Sequence, residues 1–281
     1  MVLCLDIGNS QIYGGVFNKD ELMFQFRRST KTASSSDEIG VFLRSVLREN
    51  DIQHDEIKQI AVCTVVPEVL HSLKNACRKY FNNMTPFILQ AGVRTGLNIK
   101  YRNPLELGSD RIANAIAATY LYPNRNLIII DMGTAITFCA VNGKNEFLGG
   151  SILPGLKIAM SALENNTSKL PAVEIVVPEN VLARSTVEGI QSGLYFGTLG
   201  AAKEIIHRLN QEAFNGEKAL VIGTGGFASL FENANLFDVE IPDLVLKGLY
   251  LSLAVNNLIS NKFQVIKPSI NSKNNGEIYG S

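Results

Sequence analysis

The sequence predicts an α/β protein made of two related domains that face each other across a cleft. Three observations predict it. An apolar run ending in Asp-x-Gly occurs twice, as "VLCLDIGNSQIYGGVF" from Val2 and "LIIIDMGTAITFCAV" from Leu127. Each run leads through a Gly turn into a second and a third strand-like segment and then into helical stripes. At 281 residues, 46% hydrophobic and 19% charged, the chain is long and apolar enough for two such units.

In the first copy, Val2–Leu5 reads as a buried strand, Gly8-Asn9-Ser10 as a tight turn, and Asn18-Lys19-Asp20 as a hairpin turn. The second copy aligns without a gap from Leu3 to Leu22. Asp6 falls on Asp131, Gly8 on Gly133, Tyr13 on Phe138, Val16 on Val141, Lys19 on Lys144, Glu21 on Glu146 and Leu22 on Phe147. Ser36 is expected to cap a helix carrying Ile39, Phe42, Val46 and Leu47. "IAVCTVV", from Ile60, is a strand, and Pro67 opens a helix with Leu70, Leu73 and Cys77 on one side. Gly108-Ser109 leads into a helix with Ile112, Ile116 and Leu121 on its apolar face. In the second half Pro154 and Ser185 are expected to open helices, and "ALVIGTGG", from Ala219, is a late strand. The expected domains are 1–118 and 119–262. The polar segment 263–281 lacks apolar periodicity and is expected to be a mobile tail.

Lysine plus arginine and aspartate plus glutamate both number 26, so net charge gives no pull toward nucleic acid or a membrane surface. No apolar run is long enough to span a bilayer, and no leader is recognisable at the N-terminus; a cytoplasmic protein is expected. Cys4, Cys63, Cys77 and Cys139 are not at metal-ligand spacing and read as buried thiols. His54, His71 and His207 are scattered and read as surface residues.

Two equivalent strand ends place Asp6 and Asp131 on opposite walls of one cleft. The Gly turn after each lets backbone N–H groups approach phosphate oxygens. Carboxylates repel phosphate, but a hard cation such as Mg²⁺ accepts oxygens from both. The alternative is two turn-forming aspartates in a duplicated fold; the repetition favours the phosphate reading. Gly223, Gly225 and Gly226 permit close approach of a ring or a backbone, or form an ordinary strand-to-helix turn. There is no G-x-x-x-x-G-K-[ST] loop and no H-R-D kinase set.

Asp110 and Arg111 occupy a first helical turn. Asp110 suits the helix dipole there, or it accepts a proton from a substrate hydroxyl. Arg111 is disfavoured by the dipole and suits a substrate carboxylate. Gly149, Gly150 and Gly155 around Ile152 and Pro154 form either a plain turn or a substrate wall.

Taken together, "DIGNS", "GSDR", "DMGTAITFC" and "GGSILPG" resemble the ordered motifs of type III pantothenate kinases, in the acetate and sugar kinase/Hsp70/actin superfamily. The resemblance runs from Val2 to about Leu258. It implies two duplicated ribonuclease H-like (actin-like ATPase) domains and ATP-dependent phosphorylation of the 4′-hydroxyl of pantothenate, the first step of coenzyme A synthesis. It further implies that Asp6, Gly8, Asn9, Ser10, Gly133 and Thr134 bind ATP phosphates and that the Gly223–Gly226 turn lies by adenosine. Asp131 and Asp6 would hold cations, Mg²⁺ and a monovalent K⁺ or NH₄⁺. Asp110 would be the base, and Tyr101, Gly108, Ser109, Asp110, Arg111 and Ile152 would contact pantothenate. Ser10 stands where the family has Thr, and Ser185 where it has Asn. Cys139 stands where it has Asp; its partner in the repeat is Gly14, so an effect on fold or cation support is expected more than one on catalysis.

Ser185 and Glu188 read as a capping box, after which Gly189, Gly193 and Gly197 recur every four residues. Such a face needs close packing, against a helix of the same chain or a second subunit. The resemblance implies a homodimer in which Thr186 completes the partner's pantothenate site. A non-catalytic ATP-binding relative, acting as a transcriptional accessory factor, is the alternative function; retention of Asp110 speaks against it. An actin-like filament protein is a third, for which the GSDR and GGSILPG elements would have no purpose.

Overall fold

The computed structural model describes residues 1–31, 33–90 and 92–259; the expected tail and residues 260–262 lie outside the described residues. Two sheets carry the fold. The first contains β1 (Val2–Ile7), β2 (Gln11–Asn18), β3 (Glu21–Ser29), β4 (Gln59–Thr64) and β5 (Phe87–Ile88), in the order β3-β2-β1-β4-β5. The second contains β6 (Asn98–Ile99), β7 (Leu127–Met132), β8 (Ala135–Val141), β9 (Glu146–Pro154), β10 (Leu220–Thr224) and β11 (Val239–Glu240), in the order β11-β10-β7-β8-β9-β6. Apart from β6, the second order repeats the first. The runs β3-β2-β1 and β9-β8-β7 are antiparallel, and β1-β4-β5 and β7-β10-β11 are parallel. The fold is thus the expected duplicated α/β architecture.

Helices α1 (Ser36–Arg48) and α2 (Pro67–Tyr80) cover the outer face of the first sheet, where Leu3, Leu5 and Ile7 meet Ile39, Leu43, Val69 and Leu73. The long helix α5 (Thr186–Phe214) does so for the second sheet, with α4 (Leu156–Asn166) beside it. Helices α3 (Ser109–Leu121) and α6 (Leu244–Val255) pack on each other between the sheets. One central core therefore joins Val2, Cys4 and Tyr13 of the first half to Leu127, Ile129 and Cys139 of the second. The cleft opens at the ends of β1 and β7, beside the start of α3.

Several local expectations are corrected. The α1 cap is Ser35, in a full capping box with Glu38, because Ser36 already has helical backbone. Pro154 ends strand β9, and α4 begins at Leu156 after an extended Gly155. Ser185 caps α5, but Glu188 reaches past it to the Arg184 N–H, so the box is not reciprocal.

The gapless alignment of the copies also fails. Tyr13 faces the central core and Phe138 the outer one, so they are not equivalent. The Gly8 N–H bonds the Gln11 carbonyl, whereas the Gly133 N–H bonds that of Ala135. The second Gly turn is one residue shorter, and a one-residue shift reverses every side chain of the next strand. Asp6 consequently pairs with Tyr13 but Asp131 with Thr137, and Cys139 matches Gly15 rather than Gly14. A longer turn after β8 restores the match at Leu22 and Phe147.

Candidate active site

The two Asp-x-Gly turns meet. Ser10 Oγ and Thr134 Oγ1 share a hydrogen bond of 2.9 Å across the cleft. The first turn is clipped to the end of β3, where the Thr30 N–H donates to Ser10 O at 3.0 Å and Thr30 Oγ1 donates to Gly8 O at 2.7 Å. The second is tied to the β9 end by the Gly155 N–H, which donates to Thr134 O at 3.1 Å. Two loops that are far apart in sequence are thereby fixed as facing walls.

Each turn begins at a carboxyl whose ionisation is disfavoured. Burial first, and the Asp110 charge next, push the Asp6 carboxyl up to about 7. The same two causes push Asp131 up to about 6. Cys63 Sγ donates to Asp6 Oδ1 at 3.2 Å, and Asn114 Nδ2 donates to Asp131 Oδ2 at 3.0 Å. Like-charged oxygens held together without a cation are unfavourable, and hard oxygen donors of this kind suit Mg²⁺. Among the described residues, no group of three or more His, Cys, Asp or Glu side chains is close enough to cage an ion.

The turn after β10 lies against Asp131, since Thr224 pairs with it in the sheet. At Gly225 φ is +93°, and a Cβ there would lie 2.4 Å from Asp131 Oδ1. Gly223 is needed instead for the Phe237 ring packed on it, while Gly226 faces open space.

The start of α3 is anchored to the first sheet. Ser109 Oγ accepts from the Thr64 N–H and donates to Thr64 O, both at 3.1 Å. Asp110 Oδ1 accepts from the Arg111 N–H at 2.8 Å, and a Cβ on Gly108 would collide with that oxygen at 2.5 Å. Asp110 is thus both a helix-start acid and a base candidate. One oxygen is fixed, and no hydrogen bond among the described residues engages Oδ2.

Arg111 is only 6% exposed and forms no ion pair among the described residues. Its Nε donates to Cys139 Sγ at 3.2 Å and its Nη1 to Tyr101 Oη at 3.0 Å, while Nη2 has no partner. Burial works against the charge, yet the Cys139 sulfur and the Tyr101 oxygen outweigh it and raise the pKa of Arg111. A buried cation without a counter-ion is costly, so the site is complete only with an anion. The effect expected of Cys139 on fold or cation support becomes a contact with Arg111.

The structure thus gathers Asp6, Ser10, Asp110, Arg111, Asp131, Thr134 and the Gly225 turn. Ile152, 61% exposed, lies beside Thr137 on β9. Thr186 lies elsewhere. With Gly189 and Gly193 it lines an apolar groove between α4 and α5. Among the described residues, no atom beyond α5's own adjacent backbone lies within 4 Å of where a Cβ of Gly193 or Gly197 would stand, so no described helix fills that face at these positions. Sequence reading missed Asn114 and Cys63. Asn114 stands four residues after Asp110 in "GSDRIAN", and a polar residue on an otherwise apolar helix stripe was the available signal.

Comparisons with known proteins identify the chain's relatives. Residues 2–208 match the type III pantothenate kinase family. A type III pantothenate kinase from Legionella pneumophila is 59% identical over 256 residues, covering 91% of this chain and 99% of the relative. One from Elusimicrobium minutum is 46% identical over 92% of this chain and all of its own. Two solved structures share the fold. A conserved putative Baf family transcriptional activator from Campylobacter jejuni has a TM-score of 0.59 at 21% identity, covering 92% of this chain and 100% of that one. A putative 2-dehydro-3-deoxygalactonokinase from Sinorhizobium meliloti has 0.55 at 13%, covering 94% and 100%.

Proposed function

The chain belongs to the type III pantothenate kinase family, and from that premise we propose how its cleft divides the work. The reaction is phosphorylation of pantothenate by ATP in coenzyme A biosynthesis. The non-catalytic alternative is not favoured.

The Gly8-Asn9-Ser10 and Gly133-Thr134 turns grip the ATP phosphates with backbone N–H and hydroxyl groups, and Gly226 leaves room beside adenosine. Asp6 and Asp131 hold the cations, Mg²⁺ and a monovalent K⁺ or NH₄⁺, which neutralise phosphate charge when bound. Arg111, oriented by Tyr101 and Cys139, takes the pantothenate carboxylate. Tyr101 and Ile152 bound the pocket, and Gly108 and Ser109 shape its floor. Asp110 accepts the 4′-hydroxyl proton. The bond from that oxygen to the γ-phosphorus forms, and the bond to the β–γ bridging oxygen breaks with its electron pair on ADP. In a homodimer, the groove at Gly189 and Gly193 is covered by a second copy, and Thr186 serves the partner's substrate pocket. The setting is the cytoplasm, where ATP is supplied; no helix of the described residues is long and apolar enough to cross a membrane.

The observation that carries this reading is the convergence on one cleft of the Ser10–Thr134 contact, Asp110 and the uncompensated Arg111 guanidinium. The test is ADP release with pantothenate, Mg²⁺ and K⁺. Asp110→Asn should keep ATP binding and lose about 10²–10⁴-fold in turnover. Near wild-type turnover in that variant would eliminate Asp110 as the base.

A further inference from the structure

The cleft contains three carboxylates, and the polyphosphate it must bind is an anion too. Neither Gly turn contains a lysine or arginine. The first sheet supplies one from the side. Asp6 pairs with Tyr13 on β2, and Tyr13 pairs with Arg27 on β3. Residues directly opposite on neighbouring strands share a face, so Asp6, Tyr13 and Arg27 form one row leading into the cleft.

Arg27 is exposed, and its guanidinium carbon stands 3.9 Å above the centroid of the Tyr13 ring. Stacking of this kind holds the fork in place without neutralising it. Thr30, three residues after Arg27 and just past the end of β3, is the residue clipped to Gly8 and Ser10, so Arg27 is held close to the first phosphate turn. Its charge bears on both Asp6 and Asp131, lowering each carboxyl against the larger effect of burial. Even so, Arg27 makes no ion pair among the described residues. Asp243, the other carboxylate acting on Tyr13, is paired with Lys247. The adjacent Arg28 is used on the opposite face, over the Phe42 ring and bonded to Glu38 O. Apart from the Tyr13 stack, no hydrogen bond or ion pair among the described residues engages this cation, which lies in one row with Asp6.

We propose that Arg27 is a catalytic phosphate-binding residue: its guanidinium bonds oxygens of the ATP polyphosphate beside the Asp6 turn. It there neutralises the charge that moves onto ADP as the bond to the γ-phosphorus breaks. This rests on the ATP reading of that turn.

The test compares Arg27→Gln, which keeps a planar polar end without charge, with Arg27→Lys, which keeps the charge without the fork. Kinetics with Mg-ATP and pantothenate, displacement binding of ADP and of adenosine, and thermal melts are measured on the full chain. Arg27→Gln should lower kcat/KM for ATP about 100-fold and weaken ADP binding about tenfold. The pantothenate KM should stay within about twofold and adenosine binding should be unchanged. Arg27→Lys should recover part of the loss. A kcat/KM for ATP within about twofold of wild type in Arg27→Gln would overturn the proposal. So would equal losses of ADP and adenosine binding, or a chain that does not fold, since either assigns Arg27 to the sheet. Asp6→Asn separates the two readings. If it leaves Mg-ADP binding unchanged, the ATP reading of the turn fails. If it changes that binding while Arg27→Gln does not, only the Arg27 proposal fails.

Discussion

Replacing Asp6 by Asn should make the nucleotide-free protein more stable while removing most of its activity. Burial, with Asp110 next, raises the Asp6 carboxyl from its ordinary 3.8 to about 7. In the unfolded chain Asp6 releases its proton near the lower value; in the folded chain it does so only near the upper one. Between them the folded state holds a proton that the unfolded state has lost, so rising pH favours unfolding. The penalty is absent below the lower value and complete above the upper one. A rise of about three units corresponds to about 4 kcal/mol at 1.36 kcal/mol per unit. Asp6 keeps some surface in the cleft, where water screens it, so about half, ~2 kcal/mol, is the margin to expect. Asn keeps the turn and still accepts from Cys63, but never ionises. At this chain length that margin is worth about 4–8 °C in Tm. The assay is urea unfolding without nucleotide or Mg²⁺ at several pH values between about 5 and 8, alongside turnover with Mg-ATP. Asp6→Asn should gain over wild type as pH rises to about 7, and the gain should then level off. A variant less stable than wild type at the upper end, or a pH-independent margin, would refute the reasoning and leave Asp6 a turn former.

Arg111→Ala should raise the KM for pantothenate about 10- to 100-fold and spare that for ATP, because it removes the buried guanidinium assigned above to the pantothenate carboxylate; equal losses for both ligands would place its role elsewhere. Gly225→Ala should lose turnover and about 1 kcal/mol or more of stability, since its backbone has positive φ and the new Cβ meets Asp131; a thermal melt with an activity assay checks both. Gly193→Leu has open space within its own chain, so it should fold yet block pairing; light scattering should find a monomer, and a stable active dimer would contradict the proposed interface.

The duplicated architecture and the two Asp-x-Gly turns are legible in the residue pattern alone. Both follow from local rules: an apolar run that ends on Asp-x-Gly can only be a strand leaving the core, and two of them imply two equivalent strand ends. Helix starts marked by Pro67 and Ser185 were legible for the same reason, since capping and proline chemistry act within one turn. Tertiary structure decided what depends on parity and on distant contact. One residue fewer in the second Gly turn reverses the faces of β8, and a gapless alignment cannot register that. The partners that tune the site arrive from afar: Cys63 at Asp6, Asn114 at Asp131 and Cys139 at Arg111. Nothing in the local pattern of Arg27 distinguishes it from Arg28, since both are arginines on one strand. The pleat sends Arg28 over Phe42 on the outer face and Arg27 over Tyr13 on the other, because successive side chains of a strand point to opposite faces and only the packed sheet says which face is which.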